Sequence, residues 1–148
     1  MNRSSCSFVL YALVLISALA VFSQNAEPQS ASAAQIGRGR YLVESVAACG
    51  DCHTPMNERG EPVKEKWMQG TMLFFKPTVP IPNWADKSPN IAGLPGWTDE
   101  QAIKFFMTGI AYNGLRANPP MPQYRLTRSD AAAVVAYLRS LKTGAGSR

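Results

Sequence analysis

The segment from Met56 to Trp97 restricts the fold more than any other part of this sequence. It contains six prolines and four glycines. Proline removes a backbone hydrogen-bond donor and breaks helices, so no regular element longer than a turn or two is expected there. A stretch this long without regular structure is unusual in a compact domain unless something else organises it. The segment is therefore a first indication of a large prosthetic group.

A helix is predicted before this segment. Residues 34–48 carry apolar side chains at a helical period and form a narrow stripe, at Ile36, Tyr41, Leu42, Val46 and Ala47.

Two further helices are predicted after the irregular segment. Residues 98–101 form a capping-box pattern, and the helix that they begin is expected to stop at Gly109. The same signature recurs at 127–130 and begins a helix that runs to Lys142, with Gly144 beyond its end. Its apolar face consists of Val134, Val135, Leu138 and Leu141. With no strand pattern in the chain, the predicted class is mostly α.

The first 33 residues have the order of a secretory signal peptide. Arg3 precedes an apolar run from Phe8 to Phe22, and Ala31–Ala33 offers a cleavage site. The apolar run is shorter than the roughly 20 residues of a membrane-spanning helix. An uncleaved N-terminal anchor, with membrane association, is the alternative. Residues 34–148 are predicted to form one soluble domain that is periplasmic or otherwise exported.

Two of the three cysteines and the single histidine of the chain lie within five residues, in CGDCH at 49–53. A Cys-x-x-Cys pair alone also occurs in zinc sites, redox dithiols and local disulfides. Zinc would need a carboxylate as a fourth ligand here, and a thioredoxin-like dithiol would need a βαβ context that the sequence lacks.

Covalent attachment of haem explains all three residues together. Side chains three apart lie on the same side of a helical turn, so the sulfurs of Cys49 and Cys52 can reach the two vinyl groups of one porphyrin. His53 then lies under the same face and can offer its imidazole to the iron. Gly50 keeps the turn uncrowded against the macrocycle. The motif predicts one haem c.

The sixth iron ligand is expected to be a methionine, because the chain has no second histidine. Met121 is favoured, since prolines at 119, 120 and 122 stiffen its loop. Met56 is too near His53 in sequence to reach the other face of the haem easily. Met107 lies in a predicted helix beside Phe105 and Phe106 and is expected in the core. Met68 and Met72, which border the irregular segment, remain alternatives.

The surroundings of the haem are expected to include aromatic side chains of the irregular segment, namely Trp67, Phe74, Phe75, Trp84 and Trp97. An indole, or an arginine such as Arg116 or Arg125, is expected to satisfy the propionates.

Four stretches together resemble class I c-type cytochromes: GRYLVESVAACGDCHTP, SPNIAGLPGWTDEQA, the PPMP loop and LTRSDAAAVVAYLRSL. They are most similar to the cytochrome c domains that serve membrane-associated bacterial dehydrogenases. The resemblance covers residues 34–148 nearly end to end. Those subunits often carry several CxxCH motifs, whereas this sequence carries one, so a multi-haem relay within it is excluded.

The resemblance implies a cytochrome c-like fold in which the N-terminal helix crosses the C-terminal helix. Gly39 and Tyr41 would then meet the region of Tyr137 and Leu138. It also implies long irregular loops around the haem. The ligand set that it implies consists of thioether links at Cys49 and Cys52, with His53 as the proximal and Met121 as the distal ligand.

These features predict a carrier of single electrons between a dehydrogenase and a respiratory acceptor such as an oxidase or another cytochrome. With both axial positions filled, no vacancy is left for a substrate, so an enzyme is not expected. The alternative is a haem c ligand-binding or catalytic subunit with an open or displaceable distal site. The net charge of +5 is scattered, which excludes nucleic acid as a partner. Arg116, Arg125 and Arg128 are expected to steer acidic redox proteins.

Overall fold

The computed structural model describes residues 31–141, and this part of the chain is mostly helical, which confirms the predicted class. Its elements in chain order are α1 (Ala33–Tyr41), a π-helical segment (Leu42–Val46), α2 (Cys49–His53), a 3-10 turn (Lys64–Lys66), β1 (Thr71–Met72), β2 (Lys87–Ser88), α3 (Asp99–Thr108) and α4 (Arg128–Ser140). No helix in this range is both long and apolar enough to cross a membrane. The predicted signal peptide lies outside the described residues, apart from 31–33.

The N-terminal helix changes its hydrogen-bonding period part-way along. Ser32 caps α1, because its Oγ accepts a hydrogen bond from the N–H of Gln35 at 3.1 Å. The predicted domain boundary after Ala33 therefore falls inside a capped first turn. Further on, the N–H of Ala47 donates to the carbonyl of Leu42 at 2.8 Å, which is the i to i+5 bond of a π-turn.

This change of period explains where the predicted apolar stripe was wrong. Leu42 and Val43 are buried, whereas Tyr41 and Val46 are more than half exposed. The buried face follows Gly39, and Tyr41 lies two residues from it, on the opposite side of the helix. The wider π-turn rotates Val46 out of a period of 3.6 residues.

Helices α1 and α4 approach each other at backbone distance. A Cβ atom on Gly39 would lie 1.9 Å from the carbonyl oxygen of Ala133 and 2.8 Å from Cβ of Tyr137. The contact implied for Gly39 is thus confirmed. Tyr41 is half exposed and its ring lies 5.7 Å beneath the Arg38 guanidinium, so the contact implied for Tyr41 stays a prediction.

Helix α3 begins and ends as predicted, and α4 begins as predicted. Thr98 and Gln101 exchange the two hydrogen bonds of a capping box, at 3.2 and 3.0 Å. Gly109 ends α3 with a left-handed φ of 70°. Thr127 caps α4, which ends at Ser140, slightly earlier than predicted. The predicted apolar face of α4 packs into the core through Val134, Val135 and Leu138.

The segment rich in proline and glycine is irregular, as predicted, with two strands of two residues each. Met68 anchors it to the core and is fully buried. The N–H of Met68 donates to Thr54 Oγ1 at 3.1 Å, and its carbonyl accepts from the N–H groups of Ile91 and Ala92. These bonds hold the segment close to α2.

Candidate functional site

Cys49, Cys52 and His53 come together on the single turn of α2. Ala48, just before it, has a left-handed backbone with φ of 47°, which turns the chain out of the π-helical segment. Both cysteines are free thiols. Burial raises the pKa of Cys49 to about 11, so this sulfur is a neutral thiol at neutral pH. One turn thus presents two unbonded sulfurs and one imidazole, the donor set that a haem c needs.

An apolar crevice of about 70 Å³ adjoins Cys49. Its walls come from the π-helical segment, from α3 and α4, and from the chain between these two helices: Val43, Val46, Phe106, Tyr124, Leu126 and Val134. Burial raises the pKa of Tyr124 to about 12, with Cys49 as a further cause. The crevice offers the hydrocarbon surface that the edge of a porphyrin requires. Sequence reasoning missed Tyr124, which no motif marks.

Gly50, between the two cysteines, lies against the indole of Trp67. A Cβ atom there would lie 2.4 Å from Cη2 of this ring, so the glycine accommodates Trp67 as well as any macrocycle. The Trp67 side chain also packs against the hydrophobic core, to which Tyr137 of α4 belongs, and burial raises the pKa of Tyr137 to about 12. The Tyr137 hydroxyl in turn donates to the carboxylate of Glu44. Trp67 therefore joins the motif turn to the two packed terminal helices.

The His53 side chain is buried and oriented by a backbone carbonyl. Nδ1 lies 2.8 Å from the Pro89 oxygen, and because a carbonyl can only accept, Nδ1 carries the proton. Burial lowers the pKa of His53, so the ring is neutral, and its Nε2 keeps a lone pair that can bind a metal. Histidines that bind metals usually hold their other nitrogen in this way. No sequence signal could identify Pro89, since any residue has a carbonyl.

The methionines occupy different environments. Met121 is partly buried in the loop between α3 and α4, where its N–H donates to the Asn118 carbonyl at 3.1 Å. Met68 belongs to the core, and its N–H donates to Thr54, the residue after His53. This position argues against Met68 as a ligand on the haem face opposite His53. Met72 is 65% exposed in β1. Met107 packs on the core from α3. Met121 stays the candidate for the distal ligand.

Trp84 tests whether the chain fits a haem. Its Nε1 is buried and has no hydrogen-bond partner among the described residues. An unpaired buried donor costs about 1–3 kcal/mol, so this N–H calls for an acceptor such as a haem propionate. The N–H of Ala85 donates to the carbonyl of Pro119 at 2.7 Å, which fixes Trp84 beside the loop of Met121. The donor set on α2 and this free indole fit haem c.

The arginines that the sequence suggested for the propionates have other partners. Arg116 and Arg125 both donate to Oε1 of Gln123, at 2.6 and 3.1 Å. Arg128 forms an ion pair with Glu100 at 2.6 Å, so its charge is neutralised. Among the predicted propionate partners, the Trp84 indole is the one whose donor is buried without a hydrogen-bond partner in residues 31–141.

The comparison with known proteins agrees with this geometry. A family model described as Cytochrome c matches residues 36–142, which is most of the chain. The chain belongs to the cytochrome c family. The match spans α1 to α4 and includes the CGDCH turn and the Met121 loop, and this family implies haem and electron transfer.

Among known cytochromes, the chain is similar to subunits of bacterial dehydrogenases. It is 33% identical over 121 residues to the fructose dehydrogenase cytochrome subunit of Gluconobacter japonicus, covering 74% of this chain and 23% of that protein. It is 31% identical over 117 residues to the cytochrome c subunit of the quinone alcohol dehydrogenase of Gluconacetobacter polyoxogenes, covering 72% and 24%. The gluconate 2-dehydrogenase cytochrome c subunit of Pantoea cypripedii is 30% identical over 117 residues, covering 72% and 26%. The chain spans about a quarter of the length of these relatives.

Proposed function

We propose that this cytochrome carries single electrons on one haem c, attached through Cys49 and Cys52. The observation that carries the proposal is the neutral, buried imidazole of His53, fixed by Pro89 on the same turn as two free thiols. Haem c supplies an iron that changes between its ferric and ferrous states by one electron. His53 Nε2 and the Met121 thioether would hold the iron, and the buried N–H of Trp84 would donate to a propionate.

This ligand set makes the protein a carrier and not an enzyme. An iron held by both His53 and Met121 would have no coordination position left for oxygen or a substrate. A thioether also stabilises the ferrous state relative to a second nitrogen ligand, which raises the reduction potential.

The proposed setting is outside the cytoplasm, after export directed by residues 1–33. The similar proteins are named as cytochrome subunits of fructose, alcohol and gluconate dehydrogenases. The proposed electron donor is accordingly a dehydrogenase, and the acceptor is a component of the respiratory chain.

Haem staining of the purified protein after denaturing electrophoresis tests the attachment. We expect a stained band and a haem-to-protein ratio of about one in the pyridine haemochrome assay, following the single CxxCH motif. Cys49→Ala with Cys52→Ala should remove the stain. A stain retained by the double variant would refute the site. A ferric spectrum without the far-red sulfur-to-iron band would favour the open distal site instead.

A further inference from the structure

A short hairpin lies between α3 and the Met121 loop. Ile110 and Arg116 form a β-bridge, and the N–H of Ala111 donates to the carbonyl of Leu115 at 2.8 Å. Its tip exposes 62% of Tyr112 and 64% of Leu115.

The exposed tyrosine is held in place from behind. Its ring stacks edge-on against Trp97, with centroids 5.0 Å apart, and Trp97 packs on Phe105 of α3 at 5.5 Å. An exposed aromatic side chain that is already ordered loses little conformational entropy on binding a partner. Tyr112 therefore has the character of an interface anchor rather than of a loose surface side chain.

Two positive charges lie beside the hairpin without a compensating acid. Arg116 and Arg125 converge on the single oxygen Oε1 of Gln123, two residues after Met121. Neither arginine is in an ion pair with a carboxylate of residues 31–141. The sequence from 101 to 129 contains no Asp or Glu at all. Arg125 also donates to the backbone carbonyls of Thr108 and Tyr124, so every recorded partner of the two arginines is a neutral oxygen, and both positive charges can still attract an anionic group.

We propose that Tyr112, Leu115, Arg116 and Arg125 form a docking surface for a redox protein that presents carboxylates around an apolar depression. The inference rests on the proposed function, because it places that partner beside the loop assigned to the distal ligand. The two arginines match the carboxylates, and Tyr112 and Leu115 fill the depression. A second copy of this chain is a poor occupant, since its own arginines would repel these.

A surface of known chemistry tests the proposal. Gold electrodes carry either carboxylate-terminated chains alone or a mixture of carboxylate- and methyl-terminated chains, and the haem-loaded protein is adsorbed on both. A quartz microbalance measures bound mass, and voltammetry measures electron transfer. We expect tighter adsorption on the mixed layer. Tyr112→Ser with Leu115→Ser should abolish that preference and keep adsorption on the carboxylate layer. Arg116→Gln with Arg125→Gln should weaken adsorption on both layers by at least about fivefold.

Matched controls remove the same chemical groups elsewhere. Val79→Ser removes an equally exposed apolar side chain, 63% exposed, from another loop. Lys64→Gln with Lys66→Gln removes two charges from the 3-10 turn, where neither lysine is in an ion pair with a described residue. Both controls should adsorb like the wild-type protein. Every variant should keep the wild-type reduction potential, and a shift in the arginine variant would mean that these residues serve the propionates.

Several results would overturn the docking surface. If the lysine variant loses as much adsorption as the arginine variant, the attraction is a general effect of charge. If the variant with Tyr112→Ser and Leu115→Ser still adsorbs more tightly on the mixed layer, these two side chains do not form an apolar centre of the docking surface. Loss of sedimentation with phosphatidylglycerol vesicles, with electrode adsorption unchanged, would identify a lipid surface instead. Dissociation of a dimer in the variants would identify a second copy. Bound mass without any voltammetric signal would instead count against the proposed function, so the two failures are distinguishable.

Discussion

At the scale of single residues, the Pro89 carbonyl fixes the direction of the His53 ring. Their separation of 2.8 Å sets which nitrogen is free, and burial keeps the ring neutral. Loss of such a partner typically costs 10- to 100-fold in metal affinity. The proposed haem ligand is thus prepared by the fold and does not depend on the motif alone.

Met121 is the residue whose replacement separates the proposed ligand sets. Met121→Ala should remove the far-red band, lower the reduction potential and let carbon monoxide bind the ferrous protein, because a coordination position opens. Met107→Ala is the control, since that side chain packs on the core from α3. It should keep all three properties and lose about 2 kcal/mol of stability. Loss of the band in Met72→Ala instead would show that the distal assignment is wrong.

Gly50 and Trp67 form a pair whose energetic coupling can be measured. Gly50→Ala places a methyl group 2.4 Å from the indole, so we expect a loss of about 1–3 kcal/mol in unfolding free energy and a lower yield of attached haem. Trp67→Ala removes the obstacle, and Gly50→Ala should then cost much less in the double variant. Denaturant unfolding of the four proteins gives the coupling. Additive effects would mean that the indole does not constrain the motif turn.

At the scale of elements, the contact between α1 and α4 depends on a missing side chain. Gly39→Ala must displace the Ala133 carbonyl, which is backbone and cannot rotate away, and should cost about 2–3 kcal/mol. Gly37 lies in the same helix with open space around its Cβ position. Gly37→Ala should therefore stabilise the protein by about 0.5–1 kcal/mol through helix propensity. Thermal unfolding of both variants checks the contrast, and effects of the same sign would contradict the packing described here.

The π-helical segment is an element that aligns distant parts of the fold. It buries Leu42 and Val43 and brings Glu44 to the hydroxyl of Tyr137 in α4. Ala48 follows shortly after this segment, and its left-handed backbone leads into the motif turn. π-Turns inside helices often lie at functional sites. Here the segment connects the packing of the terminal helices to the position of Cys49.

At the scale of the whole molecule, the irregular segment should depend on the bound group for its order. Between Met56 and Trp97 the structure has two strands of two residues and one 3-10 turn, and this segment contributes only Met68, Ala92 and Leu94 to the buried core that it shares with the helices. We expect Cys49→Ala with Cys52→Ala, lacking haem, to keep most of its far-ultraviolet helical signal. Its near-ultraviolet signal and cooperative thermal transition should be lost. A cooperative transition at the temperature of the haem-loaded protein would show that the chain orders itself.

The sequence by itself determined the elements whose signals are local. Capping residues at Thr98 and Thr127 bond to their own next turn, and Gly109 is needed for its left-handed φ, so the starts of α3 and α4 and the end of α3 could be predicted. CGDCH placed three donors on one turn for the same reason. Prolines and glycines act on their own backbone, so the irregular segment could be predicted as well.

Only the tertiary structure decided the contacts between residues far apart in the chain. No local pattern marks Pro89 as the partner of His53, Trp67 as the neighbour of Gly50, or Gln123 as the meeting point of two arginines. The exposure of Val46 was likewise not predictable, because the π-turn that contains it is set by packing and not by the residues within it. Such contacts depend on how the chain returns on itself, and that return is fixed by the shared core, to which segments distant in sequence contribute.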